Sequence, residues 1–237
     1  MNGKLGRRDI VKGGLLAGLG LTLPARAFAA DPQGLSGSNL TGAAPTDLLS
    51  GSTLGAVPAS PASADAYQQR ILAAAQREVS RVRASIWRAD LVGIADFSQP
   101  SWKPRFHFAN LEDGTVRSFL LAHGRGSDPA HSGWLQSFSN QVGSEATSRG
   151  AYLTCEWYQG KYGTSIRLQG LDADNSRALE RAIVVHPAWY VDESMIAKWG
   201  KLGRSEGCFA MSQANFNEAL WHLSGGRLLF ADRIGEA

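Results

Sequence analysis

The sequence predicts one mostly β domain, a barrel or sandwich with a few helices inserted, carried behind an N-terminal stretch that is not part of it. Three observations lead there. Short apolar runs of strand character recur from Leu91 onward, two pairs of them flank turn signals, and only three stretches keep helix spacing. Many short strands with few helices are the pattern of a β-barrel or sandwich. A chain of 237 residues with 43% hydrophobic content can hold one domain with a sizeable core plus a tail.

The tail comes first. Arg7-Arg8-Asp9-Ile10-Val11-Lys12 is a twin-arginine pattern, and Gly13 to Leu23 is an apolar, glycine-rich run. That run is shorter than the ~20 residues a membrane-spanning helix needs. Pro24 breaks it, and Ala27-Phe28-Ala29 supplies a small-x-small cleavage pattern. Residues 1–29 therefore read as an export signal, the alternative being an uncleaved anchor, and the expected destination is the periplasm or cell envelope. No other run approaches spanning length. Residues 30–64 are rich in Gly, Ser, Ala, Pro and Thr, too poor in bulky apolar groups to offset their ordering entropy, and read as a disordered tether.

The folded domain is placed at 65–237. Tyr67, Ile71, Leu72, Ala75, Val79, Val82 and Ile86 follow helix spacing, which predicts a helix over 65–87 with Asp65 as its N-cap, packed on the rest of the domain. Leu91–Phe97 is a strand candidate. Arg105–Leu111 and Thr115–Leu121 flank Glu112-Asp113-Gly114 as a hairpin, and Tyr152–Tyr158 and Thr164–Gly170 flank Gly160-Lys161-Tyr162-Gly163 as a second. Between them lies a glycine-rich loop from His123 to Gly133. A helical turn over Asn175–Arg181 leads to a buried strand, Ala182–His186. A short helix capped by Asp192 and a longer one over Gln213–Leu223, ended by Gly225-Gly226, precede a closing strand from Arg227 to Ala231.

Composition narrows the function. A net charge of +3, part of it in the N-terminal segment, leaves no basic stripe with interleaved aromatics and so gives no case for nucleic acid. The two Cys and five His fit no zinc-finger spacing or His-Glu-x-x-His, so no metal is expected. No glycine-rich phosphate loop opens a helix after a strand, so no nucleotide cofactor is expected, and no Gly-x-Ser-x-Gly is present. Cys155 and Cys208 can form one disulfide in an oxidising compartment. The reading preferred here keeps both free, with Cys155 buried in a strand.

The chemistry concentrates in Ile183-Val184-Val185-His186 and Gly203-Arg204-Ser205-Glu206-Gly207-Cys208. A histidine ends an apolar run, and after a loop and a helix a glycine-flanked turn delivers a cysteine. A fold that brings the two together makes a nucleophile–base pair, since the thiolate is the attacking species. Gly207 leaves room for a carbonyl to approach the N–H groups of Gly207 and Cys208, the oxyanion-hole candidates. The plainer alternative is a small buried Cys and a core His with a satisfied hydrogen bond.

These motifs resemble the YkuD-like murein L,D-transpeptidases, and in particular a branch with Ser-x-Gly-Cys in place of Ser-His-Gly-Cys. Further segments of the branch are matched by His123-Gly124-Arg125-Gly126-Ser127-Asp128-Pro129, Phe138-Ser139-Asn140, Gly143-Ser144, Ser148-Arg149-Gly150 and Tyr158-Gln159-Gly160-Lys161, so that the similarity runs from about Ile86 to Arg233. Glu206 departs from the general motif, the spacer from His186 to Ser205 is slightly long, and Ala210 stands where an Arg often follows the Cys. The resemblance implies the β-rich fold of that family and a Cys208 nucleophile with His186 as base, oriented through a backbone carbonyl at Pro187 or a neighbour. It also implies peptidoglycan stem peptides as substrate and a thioester acyl-enzyme passed to an amine to form a 3–3 cross-link. Arg204 and Ser205 beside the nucleophile, and His123, Arg125 and Ser127 in the matching loop, are the substrate-binding candidates, and Glu206 is expected to point outward. Hydrolysis by the same pair (an L,D-carboxypeptidase) and a non-catalytic peptidoglycan-binding module are the alternatives.

Overall fold

The computed structural model describes residues 61–235. The predicted export signal over 1–29 and the tether up to residue 60 lie outside the described residues. Helix α1 runs Pro61–Val82, so residues 61–64, expected in the tether, form its first turn and Asp65 lies inside the helix. A single 3-10 turn, Arg83–Ser85, ends it.

The strands follow the expected order, with one addition. They are β1 (Leu91–Asp96), the hairpin β2 (Phe106–Asn110) and β3 (Val116–Phe119), the hairpin β4 (Gly150–Gly160) and β5 (Gly163–Gly170), β6 (Val184–Pro187), β7 (Phe209–Met211) and β8 (Leu228–Asp232). Helix α2 spans Glu193–Trp199 and α3 spans Gln213–Leu223. Asp192 caps α2, its carboxylate accepting from the Ser194 N–H at 2.9 Å, and Ser212 caps α3. Among the described residues no helix is long and apolar enough to cross a membrane.

All eight strands join one mixed sheet in the order β3-β2-β1-β8-β4-β5-β6-β7. The β1–β8 and β6–β7 pairs are parallel and the rest antiparallel. The chain leaving β3 then returns to the far edge: Ala122 bridges Ala210 of β7, and Gly124 bridges Ser205. The two ends of the sheet are thereby joined into a barrel-like closure, which satisfies edge groups that would otherwise lie open.

Side-chain alternation sorts the strands between two cores. Ala95, Phe106, Phe108, Leu229 and Ala231 point to the interior cluster with Tyr152, Phe209 and Phe216. Val92, Ile94, Ala109, Leu228 and Phe230 point the other way, onto Ile71, Leu72, Ala75 and Val79 of α1. The helix is therefore part of the domain, as its spacing predicted. Arg81 holds it to Asp172 by a two-pronged contact of 2.6 and 2.8 Å, and Tyr67 donates to Asp96 at 2.7 Å.

The α1 interface gives a stability prediction. Ile71→Ala empties a fully buried position and is expected to cost about 2–5 kcal/mol, whereas Gln76→Ala on the exposed face stays within about 0.5 kcal/mol. Denaturant unfolding of the two variants checks this, and equal losses would mean that α1 is not docked.

Candidate active site

The parallel pairing of β6 and β7 sets Val185 opposite Phe209 and His186 opposite Ala210. Cys208 immediately precedes β7, at the start of the strand that neighbours the histidine's own. Sequence reading missed β7 because three residues after a glycine turn give no periodicity. All three are buried, and the strand exists only through its partners on both sides.

Backbone contact builds the turn that carries Cys208. Gly207 has φ +113°, and a Cβ there would sit 2.8 Å from the Ala146 carbonyl oxygen. Across from it, a Cβ on Gly124 would lie 2.7 Å from the Gly207 Cα. Ser205 ties the turn together: its hydroxyl donates to the Cys208 carbonyl at 2.7 Å and accepts the Gly207 N–H at 3.2 Å. Its own N–H donates to the His123 carbonyl at 2.9 Å. Of the two oxyanion-hole candidates, the Gly207 N–H is thus engaged by Ser205, which leaves the Cys208 N–H.

His186 is almost wholly buried. Its Nδ1 lies 2.9 Å from the Pro187 carbonyl oxygen, and since a carbonyl only accepts, Nδ1 carries the proton. Nε2 is then a bare lone pair, buried and without a hydrogen-bond partner. Burial holds the ring below the usual histidine range, against the upward pull of the Pro187 carbonyl, so the imidazole is neutral near pH 7. Tyr162, at the turn of the β4–β5 hairpin, stacks on the ring with centroids 4.5 Å apart.

The Cys208 thiol does not bond His186. It donates to the Ala182 carbonyl at 3.6 Å. Ala182 holds the left-handed conformation at φ +52°, which for a residue with a Cβ costs on the order of 1–3 kcal/mol and turns its backbone at the entry to β6. Burial pushes the thiol up to about 11; the Val184 N–H and Arg181 pull down, and Glu206 pushes up. The resting site is therefore a neutral thiol near a neutral base, rather than a ready-made ion pair.

A cleft of about 430 Å³ opens over the thiol, with Ala182, Val184 and Arg181 on one side and Tyr162, Lys161, Glu145 and Glu206 around it. Arg181 donates to the Ala146 and Ser139 carbonyls and the Ser148 hydroxyl, pinning the 139–148 segment against the Cys208 turn. Arg181, Ala182 and Tyr162 carried no signal of their own, because each owes its place to a contact remote in sequence.

Several predicted substrate contacts take other positions. His123 and Ser127 are buried, not cleft-lining. The bridges at Ala122 and Gly124 pull their segment into the sheet, so these side chains become scaffold. His123 Nδ1 accepts from Arg105 at 2.7 Å, its Nε2 lies 3.4 Å from Asp128, and burial with the Arg105 charge drives its pKa to about 3. The Ser127 hydroxyl accepts the Thr147 N–H at 3.0 Å. Arg204 reaches away from the cleft to the Asp128 and Pro129 carbonyls, and Ser205 is buried in the turn it holds. Arg125 alone of the five stays exposed near the cleft, paired with Glu145 and 3.7 Å from Glu206. Glu206, expected to point outward, is exposed but lines the cleft, accepting from Tyr162 Oη at 3.3 Å. Cys155 is free and half-buried, less enclosed than expected, and lies where the β4–β5 register slips between Thr154 and Trp157.

Comparison with curated proteins finds no relative of the chain. Among solved structures, an L,D-transpeptidase from Mycobacterium smegmatis is similar at 15% identity and a TM-score of 0.36, over 60% of this chain and 58% of that one. L,D-transpeptidase 3 from Mycobacterium tuberculosis gives 13% identity and a TM-score of 0.38, over 60% of this chain and 61% of that one. The helical cell shape determining protein Pgp2 from Campylobacter jejuni gives 11% and 0.38, over 60% of this chain and 47% of that one. This chain thus spans less than two thirds of each, and at these TM-scores the likenesses add nothing to the argument. The family rests on another match, to the model of the YkuD-type L,D-transpeptidase catalytic domain, which covers residues 63–231, more than two thirds of the sequence. With a glycine-built cysteine turn beside a buried histidine inside that span, the chain belongs to the L,D-transpeptidase catalytic domain family.

Proposed function

We propose that the protein is an exported L,D-transpeptidase that uses Cys208 as nucleophile and His186 as general base on peptidoglycan stem peptides. The observation that carries this reading is the buried, unpartnered Nε2 of His186, whose lone pair is fixed by the Nδ1–H bond to Pro187. A buried polar atom without a partner is costly, and a base waiting for a thiol proton is a physical reason to keep one.

The thiol first leaves the Ala182 carbonyl and gives its proton to His186 Nε2. The sulfur then attacks the carbonyl carbon of the donor peptide bond, and the oxyanion takes the Cys208 N–H as one donor. Collapse breaks the C–N bond; the leaving amine takes the proton from His186, and a thioester remains on Cys208. An acceptor amine, deprotonated by His186, attacks the thioester to give a new amide, the 3–3 cross-link, and the sulfur recovers its proton. Water in place of the amine gives the carboxypeptidase outcome.

The mature protein and its Cys208→Ala and His186→Gln variants, incubated with purified muropeptide tetrapeptides, test the reading by mass spectrometry. The native protein is expected to give a thioester adduct and cross-linked dimer, Cys208→Ala neither, and His186→Gln a rate lower by about 10²–10⁴. Trimmed tripeptide alone would assign the carboxypeptidase, and unchanged muropeptides would leave the binding module.

The raised thiol pKa sets a pH signature. A group whose pKa is about 11 is protonated throughout the neutral range, so alkylation of Cys208 by iodoacetamide in the free protein should climb about tenfold per pH unit from pH 7 towards 10. A rate already level at pH 7, followed by peptide mapping to separate Cys155, would show a preformed thiolate instead.

A further inference from the structure

We infer that the cleft between α1 and the end of β8 is an anion site for the phosphate group of an organic phosphate monoester. It opens where β8 packs on α1, involves neither Cys208 nor His186, and is independent of the function proposed above. The cleft holds about 410 Å³, a size usual for small-molecule sites, and three guanidiniums line it, those of Arg70, Arg77 and Arg233. Arg70 and Arg77 stand seven residues apart on α1, two helical turns, which puts both on one face. Ala73 and Ala74 between them carry only methyl groups and leave the space open, and buried Phe230 and Ile234 form an apolar floor.

The two arginines of α1 have no carboxylate of their own. Among the described residues none pairs with Arg70, whose guanidinium lies over the Tyr67 ring, 5.6 Å from its centroid. Arg77 donates through Nε to Glu78 at 3.0 Å, but that carboxylate is shared with Arg81, whose Nε donates at 2.7 Å. The acid that lines the cleft, Asp232, is already engaged: Arg149 Nη2 donates to it at 2.7 Å and the Arg233 N–H at 2.9 Å. On the opposite wall Arg233 is steadied by the Leu135 and Gln136 carbonyls, at 3.0 and 2.8 Å.

The arrangement selects the ligand by chemistry. A guanidinium is a planar fork of N–H donors that matches the oxygens of a carboxylate or a phosphate. A carboxylate carries one charge on two coplanar oxygens, and a single fork satisfies it. A phosphate monoester carries close to two charges and three acceptor oxygens set on a tetrahedron, so it accepts from forks on different walls at once. The apolar floor beside the forks suits the carbon skeleton of an ester, which an inorganic anion lacks.

Two probes present the same group from a soluble and a lipid source. The full chain is titrated calorimetrically with glycerol 3-phosphate, and sedimented with phosphatidylcholine vesicles that contain or lack phosphatidic acid. Saturable binding to at least one is expected, weakening as salt is raised. Arg70→Gln is expected to weaken it about tenfold, the lower end of what a hydrogen bond to a charged group is worth. Ala73→Glu sets a carboxylate three residues from Arg70 and four from Arg77, where it pairs with both, and is expected to abolish binding. Neither change removes an ion pair of the fold, and an unchanged thermal midpoint verifies that each variant is folded. Lys161→Gln, the same loss of charge in the cleft over Cys208, is expected to leave binding as it was. Binding of glycerol 3-phosphate that Ala73→Glu removes assigns a soluble ester, and sedimentation with phosphatidic acid vesicles alone, removed in the same way, assigns a lipid headgroup. No binding to either source, binding that survives Ala73→Glu, or equal losses in Arg70→Gln and Lys161→Gln would overturn the proposal. So would binding that appears only in a Glu236→Gln variant, since the forks would then serve that nearby carboxylate of the chain itself.

Discussion

The three-residue strand β7 is the constraint on which the site depends. It is held on one side by β6 and on the other by Ala122, whose N–H donates to the Ala210 carbonyl at 2.9 Å. Such a short strand has no stability of its own, so its pairing is enforced by the sheet that closes around it. That closure lets the chain leaving β3 touch the turn before Cys208: Gly124 lies against Gly207 backbone to backbone, and His123 receives the Ser205 N–H. Without two glycines at this crossing the turn would be pushed off the sheet, and Cys208 with it.

Beneath the turn the protein keeps an unusual amount of buried charge. Arg105 is fully buried, donates to the Leu121 and Gln99 carbonyls and contacts His123, and burial pushes its pKa down to about 9 against the upward pull of Asp96 and Asp128. Asp128 accepts the Ser132 and Gly133 N–H groups at 2.8 Å each. Buried ionic groups contribute less to net stability than to fixing one arrangement, because breaking any one leaves another unpaired. Here the arrangement they fix is the loop that carries His123 and Gly124 against the Cys208 turn. His123 and Ser127, two of the five residues that sequence alone would send to the substrate, therefore support the site from behind.

The Cys208–His186 pair is electrostatically quiet in the free protein. Desolvation favours the neutral form of both thiol and imidazole, so neither is charged near neutral pH and the thiol rests on a backbone carbonyl. The neutral thiol is also the less oxidisable form, since the thiolate is the species oxidants attack.

The sequence by itself determined the elements whose signals are local. Both hairpins follow from alternation around glycine turns, α1 from its apolar spacing, α2 and α3 from Asp192 and Gly225-Gly226, and the Cys–His candidates from an apolar run ending in His186 and a glycine before Cys208. These rest on backbone preference and residue type, which the chain carries wherever it goes. Tertiary structure decided the rest: the existence of β7, the inward turn of His123 and Ser127, and the arrival of Arg181, Ala182 and Tyr162 around the thiol. Each depends on partners distant in the chain, as when Arg181 meets Ser139 and Ser148 or Tyr162 stacks on His186. A side chain's burial and hydrogen bonds are properties of the closed sheet, and no local pattern of residues encodes them.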